Sequence, residues 1–176
     1  NSEEIIRGIC GDKRIGDFYN NPSFGFGGYC LPKDVSQLTA EILKIPNYLS
    51  PLLSSIENSN KSRKAFIARM ILQKKVGTIG IYRVNMKVGS YNFRESAIID
   101  IIMQLQDRNK TVIIYEPLLD IDKIWNCTVI KSFDEFENIS DIIVANRKDE
   151  ILQRSKKPFL TRDIFMLQIL KNFQNT

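Results

Sequence analysis

The residues best suited to do chemistry lie in one stretch, residues 19 to 34, reading Tyr-Asn-Asn-Pro-Ser-Phe-Gly-Phe-Gly-Gly-Tyr-Cys-Leu-Pro-Lys-Asp. Asn20, Asn21, Pro22 and Ser23 are turn formers. Gly25, Gly27 and Gly28 then alternate with Phe24, Phe26 and Tyr29, so a backbone free to approach a ligand is pinned by aromatic rings. Cys30 follows, with Pro32 in a place suited to the first position of a helix. The pattern puts Cys30 just ahead of a helix N-terminus, whose partial positive charge, joined by Lys33, favours a thiolate. Backbone N–H groups of a glycine-rich turn can aim at an anion. That is the equipment of a cysteine nucleophile with an oxyanion site beside it.

Each of these residues also has a plainer reading. A lone cysteine is more often a small buried hydrophobe. Asp34, one helical turn beyond Cys30, either orients a water or simply stabilises the first turn of the helix as an acid. Lys33 reads as an ordinary surface lysine. Since the chain has no histidine, Ser-His and Cys-His dyads and most zinc sites are removed together. Acid–base work falls to carboxylates, lysine, tyrosine or water.

The elements that must position this stretch follow from periodicity. Residues 3–10 read as the tail of a helix, with Cys10 on its apolar side as a core residue. A helix runs from Val35 to about Lys44. Ile45-Pro46-Asn47 interrupts the pattern. Residues 48–74 then carry Leu49, Leu52, Leu53, Ile56, Phe66, Ile67, Met70 and Ile71 at helical spacing. The polar middle, residues 57–64, leaves two readings: one long helix crossing solvent, or two helices meeting near residues 58–60. From Val76 the texture changes to short apolar runs separated by helices. The runs are 78–82, 111–115, 129–130, 141–145 and 159–161; the helices are 95–107, a short one at 120–125, and one over 134–136 capped by Ser132. This alternation predicts an α/β fold: a helical segment at 1–74 followed by a doubly wound, parallel-sheet, Rossmann-like domain at 75–176. Ligands of such sheets bind beyond the carboxyl ends of the strands, where Arg83, Lys87, Arg94, Glu116 and Arg147 fall. There is no G-x-G-x-x-G, and Gly80 lies inside a strand run, so a dinucleotide fingerprint is rejected within this chain.

Composition sets the outer bounds. The chain has 176 residues, 43% hydrophobic, enough to bury a core. No apolar run approaches the ~20 residues of a membrane span. Cys10, Cys30 and Cys127 are odd in number, widely spaced and without a C-x-x-C pair, which points to a reducing, cytoplasmic setting. The net charge is +5 with both signs interspersed. The densest basic group, Lys61, Arg63 and Lys64, reads as a solvated helix face rather than a nucleic-acid patch. The N-x-S/T sequons, including the one at Asn60, read as chance in an Asn-rich chain.

The run from Arg14 to Asp34 resembles the catalytic cysteine loop of the nucleotide-sugar dehydrogenases, the UDP-glucose/GDP-mannose dehydrogenase family, in its bacterial UDP-glucose branch. Three further segments carry the resemblance: Tyr82 to Lys87 with Gly89 to Arg94, Val112 to Pro117, and Thr161-Arg162-Asp163-Ile164-Phe165. The likeness reaches about Phe165 and matches the back half of the family's subunit. It implies an NAD-dependent, two-step oxidation of UDP-glucose to UDP-glucuronate, with NAD held mainly by a front domain outside this chain, and no turnover by this polypeptide alone. The missing start methionine agrees with a piece of a longer chain. Carried over residue by residue, the resemblance makes Cys30 the nucleophile and Asp34 the residue that helps activate the hydrolytic water. It gives Tyr19, Asn20, Asn21, Pro22, Ser23 and Gly27 contacts to the sugar nucleotide, Arg14 a contact to substrate across a dimer interface, and Lys87 a contact to substrate. It gives Lys33 and Arg94 contacts to NAD. Tyr91 departs from the pattern, standing where the family has an aspartate. A homodimer is implied, with no nucleic-acid, membrane or metal partner. The alternatives are a dehydrogenase for GDP-mannose or UDP-N-acetylmannosamine, and a non-catalytic remnant that binds a nucleotide sugar or dimerises.

Overall fold

The structure is a computed structural model and describes residues 1–28, 30–47, 50–84 and 96–165. Tyr29, Leu49, Lys87, Tyr91 and Arg94, named above, lie outside the described residues. Three helices come first: α1 (Ser2–Cys10), α2 (Cys30–Ile42) and α3 (Pro51–Leu72). The rest alternates as β1 (Thr78–Tyr82), α4 (Ala97–Gln106), β2 (Thr111–Tyr115), β3 (Lys123–Ile124), β4 (Cys127–Ile130), α5 (Phe133–Ile139), β5 (Ile142–Ala145), α6 (Glu150–Gln153) and β6 (Phe159–Leu160).

The strands form one sheet in the order β3-β4-β2-β1-β5-β6. All neighbours are parallel except β3, which runs antiparallel to β4. From β1 the chain steps outward through β2 to β4, then returns to lay β5 and β6 on the other side. The order therefore reverses between β1 and β5, and that is where an open α/β sheet leaves a crevice at its carboxyl edge.

Burial on both faces explains why the strands read as unbroken apolar runs. One face, with Ile79, Ile81, Val112, Ile114, Ile142 and Val144, packs against Ile67 and Ile71 of α3 and Ile98, Ile101, Ile102 and Leu105 of α4. The other, with Tyr82, Ile113, Tyr115 and Ile143, packs against Phe136 of α5 and Leu152 of α6. Gly80 faces α5: a Cβ there would collide with Ser140 Oγ and lie 2.6 Å from Phe136 Cζ. Its place inside the strand thus has a packing reason, the close approach of a helix. Ser132 caps α5 as read, its Oγ accepting from Glu135 N–H at 3.4 Å.

Four local readings are corrected. Residues 120–125 are not a helix; they lead into β3, and Trp125 and Asn126, both at positive φ, make the two-residue turn of a β3–β4 hairpin. Pro32 is the third residue of α2 rather than its first, because the helix begins at Cys30; the N–H groups of a first turn have no intrahelical acceptor, so proline is tolerated throughout it. Cys10 is half-buried on a helix with no buried residue, and its Sγ accepts from Asn20 Nδ2 at 3.4 Å. The basic group on α3 is more than a solvated face. Arg63 and Lys64 are half-buried, with Arg63 on the Ser23 carbonyl and Lys64 paired to Asp100. Of the two readings for residues 48–74, the single helix is observed, starting with Pro51 at its first position. Among the described residues no helix is long and apolar enough to cross a membrane.

Candidate active site

Residues 20–28 have little regular structure of their own, so other elements must hold them. They are gripped from two sides. On the α3 side, Asn60 Oδ1 accepts from Phe26 N–H at 3.0 Å and Asn60 Nδ2 donates to the Phe26 carbonyl at 2.9 Å. Three residues along the same helix face, Arg63 donates to the Ser23 carbonyl through Nη2 at 2.9 Å and Nε at 3.3 Å. Gly25 is what lets this helix come so close: a Cβ there would stand 2.7 Å from Asn60 Oδ1.

On the sheet side the anchors come from the carboxyl ends of β5 and β6. Asn146, the residue after β5, accepts from Phe24 N–H at 3.0 Å. Its neighbour Arg147 donates to the Pro22 carbonyl at 2.7 Å. Asn21 donates to Asp163 Oδ1 at 2.6 Å and accepts from Ile164 N–H at 3.0 Å. The Phe24 ring is fully buried in the core shared by α3, α4 and the sheet. The loop therefore lies at the carboxyl edge of the sheet, beside the ends of β5 and β6.

Cys30 emerges four residues beyond Phe26 as the exposed first residue of α2. Asp34 stands one turn later on the same helix face, since residues four apart on a helix are neighbours. Lys33 Nζ lies 3.4 Å from Asp34 Oδ1, and both side chains are about half exposed or more. An exposed sulfur, a carboxylate one turn further along the helix and a cation beside that carboxylate can hold an acyl group and orient a water beside it.

The remaining candidates are distributed as follows. Pro22 and Ser23 contribute their carbonyls to the anchors just described. Ser23 Oγ donates to the Gly25 carbonyl at 3.0 Å, Asn20 touches Cys10, and Gly27 is half-buried. Tyr19 is fully exposed, on a backbone with φ of 54°. Arg14 is 89% exposed and bound to Asp12 through Nε at 3.0 Å and Nη2 at 2.5 Å. An open cleft of about 590 Å³ separates the loop at 21–26 from the first half of α3, with Leu52, Ser55, Ile56 and Ser59 on the helix side. Neither Cys30 nor Asp34 lines it.

At the carboxyl ends of β1 and β2 the groups are ionic and partly buried. Tyr82 Oη donates to Asp149 at 2.7 Å, Arg83 lies 3.4 Å from the same carboxylate, and Glu116, 1% exposed, accepts from Val84 N–H at 3.2 Å. Burial first, then the Asp149 carboxylate, pushes the Tyr82 phenol well above its ordinary range. Burial lowers the Arg147 guanidinium, against the opposing pull of Asp163.

Reading the sequence missed Asn60, Asn146 and Asp163 as parts of this site. The only signal was indirect: a polar interruption in an otherwise apolar helix at 57–64, and an Asp in the segment at 161–165.

The sequence matches the profile of the UDP-glucose/GDP-mannose dehydrogenase family, central domain, over residues 1–62, and that of the same family's UDP binding domain over residues 80–165. It is 47% identical to a UDP-glucose 6-dehydrogenase of Streptococcus pneumoniae over 94% of this chain and 41% of that protein. It is 48% identical to one of Campylobacter jejuni over 96% of this chain and 43% of that protein. Identity to a GDP-mannose 6-dehydrogenase of Pseudomonas aeruginosa is 26%, over 84% of this chain and 37% of that protein. The chain thus spans less than half the length of these relatives. In fold it is similar to a crystal structure of a GDP-mannose dehydrogenase from Pseudomonas aeruginosa, with a TM-score of 0.74 at 24% identity over 93% of this chain and 42% of that one. A UDP-glucose dehydrogenase from Pyrobaculum islandicum gives the same score at 16% identity, over 91% of this chain and 39% of that one.

Proposed function

The chain belongs to the UDP-glucose/GDP-mannose dehydrogenase family, and from that premise we propose that it is the cysteine-bearing, nucleotide-sugar-binding part of a UDP-glucose 6-dehydrogenase. Its reaction is the oxidation of UDP-glucose to UDP-glucuronate in the cytoplasm. The observation that carries this reading is the placement of the cysteine loop: it is anchored on Asn146 and Arg147 at the carboxyl end of β5, the edge at which such a sheet receives its ligands. A sugar attached to that nucleotide then runs along the loop toward the exposed Cys30. The higher identity to the UDP-glucose relatives than to the GDP-mannose one favours a UDP-sugar.

NAD, when bound, would accept one hydride, so the oxidation of a primary alcohol to an acid, which releases two, would use two NAD in succession. Lys33, a half-exposed cation on the first turn of α2, fits the diphosphate of such a cofactor; Arg94 is assigned the same partner on the resemblance alone. Once the first hydride has left the alcohol carbon and a proton its hydroxyl oxygen, the Cys30 thiolate adds to the resulting aldehyde, a C–S bond forms and the former carbonyl oxygen takes up a proton. Loss of the second hydride from that carbon and of the proton from its hydroxyl turns the thiohemiacetal into a thioester. Water oriented by Asp34 attacks the acyl carbon, the C–S bond breaks, and Cys30 leaves as thiolate. A serine would need a strong base to start this sequence; a thiolate needs none.

Arg14, Tyr19, Asn20, Asn21, Pro22, Ser23, Gly27 and Lys87 are proposed to contact the sugar nucleotide. For Asn21, Pro22 and Ser23 this role falls on the atoms that the anchors leave open. A homodimer agrees with the surface of α1 and α2, which bury no residue and expose Ile5, Ile9, Leu31 and Leu38. The test is protection of Cys30 from iodoacetamide, read by peptide mass. UDP-glucose slows the reaction and GDP-mannose does not. Equal protection by both would move the substrate class, and none by either would leave the remnant reading in place.

A further inference from the structure

The segment Thr161-Arg162-Asp163-Ile164-Phe165 stood out in the sequence without a task. The structure gives one to its carboxylate. Asp163 is only 5% exposed, and a buried carboxylate is costly unless hydrogen-bonded. It accepts from Asn21 Nδ2 at 2.6 Å on Oδ1 and from Lys148 N–H at 2.8 Å on Oδ2. The other end of the Asn21 amide accepts from Ile164 N–H at 3.0 Å. Next to this pair, Arg147 holds the Pro22 carbonyl at 2.7 Å. The Asn21 amide nitrogen faces acceptors, Asp163 and the Phe165 carbonyl, and its oxygen faces a donor, so Asn21 is locked in one orientation at the ends of β5 and β6.

We propose that Asp163 is a positioning residue for the cysteine loop: through Asn21 it fixes residues 21–24 on the sheet edge, so that a nucleotide bound there and the loop leading to Cys30 keep one register. The proposal rests on the function argued above. It differs from a general stabilising role in what it protects. The sheet edge survives loss of the pair, whereas the alignment of the loop to that edge does not. UDP, which needs the edge alone, and UDP-glucose, which also needs the loop, are therefore affected unequally.

The pair admits a reciprocal exchange. In Asp163→Asn an amide donor meets the Asn21 donor, and in Asn21→Asp two carboxylates face each other. In the double exchange the carboxylate at 21 accepts from the amide at 163 and from Ile164 N–H, while the amide oxygen at 163 still accepts from Lys148 N–H. These contacts are restored with charge and amide exchanged, and only the longer contact from Asn21 Nδ2 to the Phe165 carbonyl, 3.5 Å, is lost. Calorimetric titration of the 176-residue chain and its three variants with UDP and UDP-glucose reads the effect. Each single variant weakens UDP-glucose by roughly ten-fold, the scale of one charge-assisted hydrogen bond, and Asp163→Asn weakens UDP by less than about two-fold; the double exchange recovers UDP-glucose binding. Unchanged UDP-glucose affinity in both folded single variants overturns the proposal, as does equal loss of both ligands.

If the parent chain binds neither ligand, the functional reading has failed, and amide hydrogen exchange decides the positioning alone. Exchange at Phe24 and Phe26 rises in the single variants and returns in the double exchange, with β2 amides unchanged. Loop exchange that stays at the parent level, or fails to recover in the double exchange, overturns the proposal.

Discussion

Asn60 holds Phe26 by both ends of its peptide: the amide oxygen takes the Phe26 N–H at 3.0 Å and the amide nitrogen reaches the Phe26 carbonyl at 2.9 Å. A side chain here does what a neighbouring β-strand would do, in a loop that has no strand beside it. Asn60→Asp keeps the acceptor and replaces the donor with a repelled oxygen. It is expected to destabilise the chain by about 1–3 kcal/mol, measured by urea unfolding. Gly25→Ala tests the same contact from the other side, because its Cβ would stand 2.7 Å from Asn60 Oδ1. It should loosen the loop in the same way, and a combined variant should cost less than the sum.

Gly80 makes a separate prediction about the sheet. A methyl there would collide with Ser140 Oγ, at the C-cap of α5, and lie 2.6 Å from Phe136 Cζ on that helix. Since Phe136 and Ser140 are fully buried, α5 has no free direction in which to yield. Gly80→Ala is expected to cost about 2–3 kcal/mol, as overpacked cores do. A variant with parent stability would show that α5 is not seated where it is described.

The cysteines should react in an order set by exposure. Cys30 is exposed, Cys10 half-buried and Cys127 buried. Burial pushes the Cys127 thiol up to about 11, so it carries almost no thiolate near neutral pH. Alkylation followed by peptide mass is expected to label Cys30 first and Cys127 only on unfolding. Labelling of Cys127 at the rate of Cys30 would contradict the packing of β4.

Two groups shape the dependence of stability on pH, with opposite signs. The folded Cys127 holds its proton more tightly than the unfolded chain does. Its contribution is therefore complete below the unfolded value of about 8.5 and lost as pH rises toward 11. Cys127→Ala should flatten that alkaline limb. Asp141 is held below the carboxylate range by the Thr78 and Gly77 N–H groups, which it accepts at 2.8 and 2.9 Å. Its contribution is complete above the unfolded value of about 3.9 and lost as pH falls through the lowered folded one. Asp141→Asn should make the acid limb shallower. Urea unfolding across pH reads both limbs, and a parent-like acid limb in Asp141→Asn would remove the second assignment.

What the sequence by itself determined was local. Strands buried on both faces announce themselves as apolar runs such as Thr78–Tyr82 and Thr111–Tyr115, and the cap at Ser132 needs only its next few residues. Cys30 could be placed at a helix mouth because proline and glycine act on their own backbone. The hairpin at Trp125–Asn126 escaped because two positive-φ residues without a glycine leave no clear mark in composition. Tertiary structure alone decided how the loop is held. Asn60, Asn146 and Asp163 meet Phe26, Phe24 and Asn21 across 34, 122 and 142 positions. A hydrogen bond between such distant residues imposes no periodicity on either one, so its partner exists only once the sheet has brought β5 and β6 to the same edge as the loop.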